Sequence, residues 1–128
     1  MSQFIRKYWP SLIVACVIIY ATWLPGSFQP DDLPKFPHFD KLIHAVMFGG
    51  FTGALIFDNR RSGIEITRKL LERVGTIAIT CGAVDELVQG LLPIGRPWDR
   101  LDFLADLAGI VVAIYLAPPV VKAIFKNK

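Results

Sequence analysis

The chain is poor in the residues that usually announce chemistry. It has two cysteines, Cys16 and Cys81, and both fall inside apolar blocks. No C-x-x-C spacing is present, so no disulfide framework and no cysteine metal site is expected. A histidine beside carboxylates could hold a divalent metal, but no H-x-x-x-H or H-E-x-x-H spacing occurs, so no metal and no cofactor is the expectation. No serine or cysteine stands as a candidate nucleophile: Ser27 lies in a long connector and the cysteines lie in apolar spans. Repeats and low-complexity tracts are absent. The net charge is +3, but the basic residues flank apolar blocks and form no face of their own, which argues against a nucleic-acid partner.

What the chain does have is long apolar runs. Of its 128 residues 53% are hydrophobic, and mean hydropathy is +0.46. A soluble domain would spread such residues in helix or strand alternation. Four membrane spans of about 17–20 residues with short connectors would use nearly the whole length. The spacing predicts one domain, residues 1–128, with spans at about 8–24, 41–57, 71–92 and 101–121. The fold class is therefore all-α, a four-helix transmembrane bundle. Arg6 and Lys7 precede the first run as in a signal peptide, but no small-x-small cleavage site follows it. An uncleaved first span is expected. Pro10 suits a first helical turn, and Pro25-Gly26 ends the span. Pro25, Pro30, Pro34 and Pro37 make residues 25–40 a stiff connector. Gly49 and Gly53 form a small-x-x-x-small pair suited to close helix packing. Residues 58–69 read as a polar loop, and Pro118-Pro119 as a loosened end of the last span.

Lysine and arginine set the expected orientation. Ten of the fourteen flank one side of the spans, among them Arg6, Lys7, Arg60, Arg61, Arg68, Lys69, Arg73 and Lys122. Lys35, Lys41, Arg96 and Arg100 flank the other. The basic side is expected to be cytoplasmic, with both termini inside, in the bacterial cytoplasmic (inner) membrane.

Against that frame the acids are one-sided. Asp85, Glu86, Asp99, Asp102 and Asp106 fall at the end of span three, in the next loop and at the start of span four. Ionisable groups at membrane depth are costly and mark functional sites. The start of span two adds Asp40-Lys41-x-x-His44, with Asp40 and His44 one turn apart. Glu86 and Gln89 share a face of span three. Asp99, Asp102, Asp106 and Gly109 draw one stripe along span four. Antiparallel neighbours bring these three segments to one depth. Asp99 and Asp102 also suit a helix N-terminus, where they would cap and orient. Glu86 and Asp106, one to two turns deeper, also suit a buried polar lock between helices. Trp23 and Trp98 fall where aromatic belts form.

These residues resemble the VanZ-like family of small bacterial membrane proteins. The likeness rests on Asp40-Lys41-x-x-His44, on Glu86-x-x-Gln89, and on Arg96-x-x-Asp99-x-x-Asp102-x-x-x-Asp106-x-x-Gly109. It covers roughly residues 38–115, and Asp106 stands where the family pattern usually has Asn. The resemblance implies an integral membrane protein of the cell envelope with about four spans. The member that names the family is linked to resistance to the glycopeptide teicoplanin.

Two functions follow as expectations. In the first, Asp40, Lys41, His44, Glu86, Gln89, Arg96, Asp99, Asp102 and Asp106 line an outer-leaflet pocket. Its ligand would be a membrane-lipid head group, a lipid-linked envelope precursor or a glycopeptide-like amphiphile. In the second, the protein is a small hydrolase or transferase acting on a lipid-linked or phosphate-ester substrate. His44 or Glu86 would then be the general base, and Arg96 would stabilise a developing anion. The lack of a nucleophile favours the first.

Overall fold

A computed structural model describes residues 2–23, 39–91 and 100–126, with the side chains of Phe39 and Asp40 excepted. It contains four helices: α1 (Gln3–Trp23), α2 (Phe39–Arg61), α3 (Arg68–Leu91) and α4 (Arg100–Ile124). Each is long and apolar enough to cross a membrane, because about 20 helical residues span a hydrocarbon core of about 30 Å. Large apolar side chains such as Ile13, Val17, Leu87, Val111 and Leu116 stand on the outside of the bundle. That pattern is costly in water and natural in lipid. Cys16 and Cys81 share this outer surface as free thiols.

Side-chain contacts fix an up-and-down order. The N-terminal part of α1 meets the end of α2 through Tyr8 and Asn59. The end of α1 meets the end of α3 through Thr22 and Asp85. The start of α2 meets the start of α4 through His44 and Asp106. Phe125, just past α4, stacks near Phe57 at the end of α2. The start of α1 and the end of α4 therefore lie at the same end, together with Arg60, Arg61 and Arg68. We call this the basic end. The opposite, acidic end carries His44, Asp85, Glu86, Asp102 and Asp106.

The α2–α4 pair is the most extensive contact in the bundle. Glycine makes it so. A Cβ added at Gly109 would collide with the carbonyl of Ala45, and one at Gly49 would lie 3.1 Å from the Gly109 carbonyl oxygen. Gly53 faces the methyl of Ala117. The Gly49/Gly53 pair is thus used for packing, as its spacing predicts. Phe48, Ile56, Val74, Ala78 and Ile110 fill the core around this crossing.

The basic end departs from the expected loop at 58–69. Helix α2 continues to Arg61, and Asp58 and Asn59 are buried. Gly63, at φ 87°, then closes the helix. Its N–H reaches the Arg60 carbonyl and the next N–H, of Ile64, reaches that of Asn59. This is the paired closure of a Schellman end, which asks for glycine at that position. Thr67 starts α3 by accepting the N–H of Leu70 at 3.2 Å. Asp58 is buried because α1 needs it. Tyr8 leaves helical geometry, and Pro10 restarts the helix two residues on. Ser11 then presents an N–H and a hydroxyl, and Asp58 Oδ2 accepts both at 3.0 and 2.6 Å. Pro118 and Pro119 do not loosen α4, which runs through them to Ile124.

Three outcomes follow for purified protein in detergent. Gly109→Val should lower unfolding stability by at least about 1–3 kcal/mol, because the backbone of α2 cannot yield to a side chain there. Gly50→Ala, which meets nothing within 4 Å, should be neutral or better. Asp58→Ala should cost about 1–3 kcal/mol by leaving Ser11 unsatisfied. Equal melting of Asp58→Ala and the parent would show that the Ser11 contacts do not hold α1 to α2.

Candidate functional site

The acidic end is built by close helix crossings. Gly109 lies one turn beyond Asp106 and seats against Ala45, the neighbour of His44. That contact lets the two polar side chains meet: His44 Nδ1 lies 2.9 Å from Asp106 Oδ1. Gly82 is one turn before Glu86 and faces Asp106 without a side chain between them. Helix α3 can therefore approach α4 beside a carboxylate.

His44 is the centre of the arrangement. Its Nδ1 faces Asp106 and, at 3.6 Å, Glu86 Oε1. Its Nε2 faces Asp102 Oδ2 at 3.7 Å. Lys41, one turn earlier on α2, forms a close ion pair with Asp102 Oδ1 at 2.7 Å. The depth is real: Asp106 is six residues inside α4, about 9 Å along the axis at 1.5 Å per residue. His44 is 5% exposed, Glu86 2% and Asp106 0%.

A second set of contacts ties α1 to this end. Asp85 Oδ1 accepts the Thr22 hydroxyl at 2.6 Å and the Trp23 indole N–H at 2.8 Å. Gln89 donates to the Thr22 carbonyl at 3.0 Å. Trp23 is thus turned inward by its N–H, which is more than a belt position asks. Thr22, Trp23 and Asp85 are site residues that the motif spacing does not assign. Their signal is weak: a hydroxyl and an indole N–H closing span one, each of which needs a buried acceptor.

Of the expected pocket residues, Lys41, His44, Glu86, Asp102 and Asp106 come together, and Gln89 instead bonds the end of α1. The Asp40 side chain and residues Arg96, Trp98 and Asp99 lie outside the described residues. So do positions 24–38, which contain the prolines of the first connector.

The site is rich in open acceptors. Glu86 has neither oxygen hydrogen-bonded, and Asp85 Oδ2 and Asp106 Oδ2 have no partner among the described residues. A buried carboxylate oxygen left unpaired is expensive and calls for a donor or a cation. His44, Asp85, Glu86 and Asp106 each offer one ligand-type atom within 4.8 Å of the others. Chemically the cluster can orient an imidazole, accept several hydrogen bonds at once, or surround a positive charge.

Comparison with known proteins adds no constraint: no family model matches the chain, and neither a curated protein nor a solved structure does. The VanZ-like likeness rests on the motif residues alone.

The His44–Asp106 contact has a measurable consequence. His44→Gln and Asp106→Asn should each destabilise the bundle, and the double variant should lose less than the two losses combined, by about 0.5–3 kcal/mol. Strict additivity in a double-mutant cycle would mean that the two side chains do not interact.

Proposed function

We propose that this chain is an integral protein of the bacterial cytoplasmic membrane, of the VanZ-like type, that binds the polar head of an amphiphile at the outer leaflet. The observation that carries this reading is the clustering of buried carboxylate oxygens without a hydrogen bond, on Asp85, Glu86 and Asp106, at one end of four apolar helices; at the other end only Asp58 Oδ1 is in that state among the described residues, with Arg61 3.7 Å away. Such a distribution serves recognition at one membrane face; a path across the bilayer would need ionisable groups along its length. The open oxygens of Glu86, Asp85 and Asp106 suit a head group rich in hydrogen-bond donors. Lys41, beside Asp102 nearer the helix ends, suits an anionic group on the same ligand. A membrane lipid, a lipid-linked envelope precursor and a glycopeptide-like amphiphile all present that chemistry. The basic residues support a cytoplasmic basic end, with both termini inside.

A second reading has its own observation. His44 lies between two aspartates, Asp106 on Nδ1 and Asp102 toward Nε2. A carboxylate on one imidazole nitrogen is the arrangement that orients a general base. Water would then be the nucleophile in a hydrolase acting on a lipid-linked or phosphate-ester substrate.

Three measurements test these readings. On cells stripped of any outer barrier, a cysteine at position 95, in the α3–α4 connector, should react with an impermeant thiol reagent. One at Ser62 should not, in a background free of Cys16 and Cys81. The reverse pattern would overturn the outer-leaflet reading. Native mass spectrometry of the purified protein should find a retained amphiphile, lost in Lys41→Gln and in Asp102→Asn. His44→Gln should weaken retention only modestly, with no turnover of lipid-linked or phosphate-ester substrates by either form. Turnover that falls about 100-fold or more in folded His44→Gln would establish the enzyme instead.

A further inference from the structure

No H-x-x-x-H or H-E-x-x-H spacing marks a metal site in this sequence, yet the fold assembles a ligand set. His44 comes from α2, Asp85 and Glu86 from α3, and Asp106 from α4. One donor atom from each lies within 4.8 Å of the others, and all four side chains are buried. We propose that these four residues bind one divalent transition-metal ion, Zn²⁺ in preference to Mn²⁺, inside the acidic end of the bundle. This inference gives the open oxygens of Glu86, Asp85 and Asp106 to an ion, and leaves Lys41 and Asp102, nearer the helix ends, to meet a head group.

The geometry is of the right size. In a tetrahedral zinc site with bonds of 2.0–2.1 Å, neighbouring ligand atoms sit about 3.3 Å apart. His44 Nδ1 lies 2.9 Å from Asp106 Oδ1 and 3.6 Å from Glu86 Oε1. Small rotations of three side chains would close the set around an ion.

The unpaired oxygens point to a cation specifically. Both oxygens of Glu86, Oδ2 of Asp85 and Oδ2 of Asp106 accept nothing among the described residues. Each of these side chains is more than nine-tenths buried. Three carboxylates gathered in apolar surroundings repel one another, and a doubly charged ion relieves that repulsion while occupying the open lone pairs. Lys41 does not take this place, since its amine sits on Asp102.

An outer layer of contacts is also present. A metal-bound imidazole commonly hands its second nitrogen to a carboxylate, which fixes the ring. With Nδ1 on the metal, Nε2 of His44 would point to Asp102, 3.7 Å away, itself held by Lys41. Asp85 is anchored through Oδ1 by Thr22 and Trp23, which leaves Oδ2 for the ion. One imidazole with carboxylates suits zinc and manganese. Magnesium and calcium prefer all-oxygen sites with many waters or carbonyls, and zinc outranks manganese in intrinsic affinity.

The test is metal analysis of the full chain, purified in detergent without a metal column and in a His38→Gln background. Elemental analysis should find close to one zinc or manganese per chain. After chelator stripping, Zn²⁺ and Mn²⁺ should raise the unfolding temperature and Mg²⁺ should not. Glu86→Gln should weaken binding about tenfold or more, while Asp58→Asn, at the other end, should leave it unchanged. Pulsed electron paramagnetic resonance of the Mn²⁺-loaded parent should show coupling to imidazole nitrogen, a readout that needs no site variant to fold. A helical, monodisperse parent that neither carries nor takes up Zn²⁺ or Mn²⁺ would overturn the proposal. So would Mn²⁺ binding without nitrogen coupling, or a folded Glu86→Gln that binds as tightly as the parent.

Discussion

An ionisable side chain inside an apolar bundle has to find its partner within the bundle, because lipid supplies none. Here that requirement falls on His44 and Asp106, and the rest of the acidic end is arranged around their contact. The contact needs α2 and α4 to approach more closely than side chains normally allow. Gly109 against the Ala45 carbonyl supplies that approach one turn from the polar pair. Gly82 does the same for α3 beside Asp106. The glycines are thus part of the site without touching a ligand: they set the helix spacing that brings Glu86, Asp106 and His44 to one point.

The two ends of the bundle solve the same problem differently. At the basic end, Asp58 is fully buried, and one of its oxygens accepts both Ser11 hydrogen bonds. That carboxylate has a structural task, capping α1 where Tyr8 and Pro10 interrupt it. At the acidic end, Glu86 is as deeply buried and accepts nothing from its described neighbours. The second Asp58 oxygen has no hydrogen bond either, with Arg61 3.7 Å away, so what sets the acidic end apart is Glu86, bonded at neither oxygen, grouped with the open oxygens of Asp85 and Asp106. It is the physical reason for placing function at one end and connection at the other.

Much of this was legible from residue order. Four apolar blocks implied four helices, and the helices are there, each longer than its apolar run. The spacing of Glu86 with Gln89, and of Asp102, Asp106 and Gly109, implied shared faces; Glu86, Gln89, Asp106 and Gly109 are buried, with Asp102 half-buried beside them. What was not legible depends on tertiary contact. Asp58 looks like a loop residue in a polar stretch, and only the α1 interruption at Tyr8 explains its burial. Thr22 and Trp23 look like the end of a span, and their role appears only when Asp85 arrives from α3. The four-residue ligand set is invisible to spacing because it draws on three helices. Pro118-Pro119 reads as a loosened span end, yet the helix runs through it to Ile124, because neighbouring structure can tolerate proline in a membrane helix.

The acidic end depends on His44 lying against Asp106 inside the bundle. Solid-state NMR of the full chain in lipid bilayers measures this directly, in a His38→Gln background that leaves His44 the only imidazole of the two in the chain. With ¹⁵N histidine and ¹³C-carboxyl aspartate, the Nδ1 signal should be strongly dephased by a carboxylate carbon, and Asp106→Asn should remove most of that dephasing. A His44 Nδ1 that senses no carboxylate in the folded parent, or one whose dephasing survives Asp106→Asn intact, would contradict the central claim.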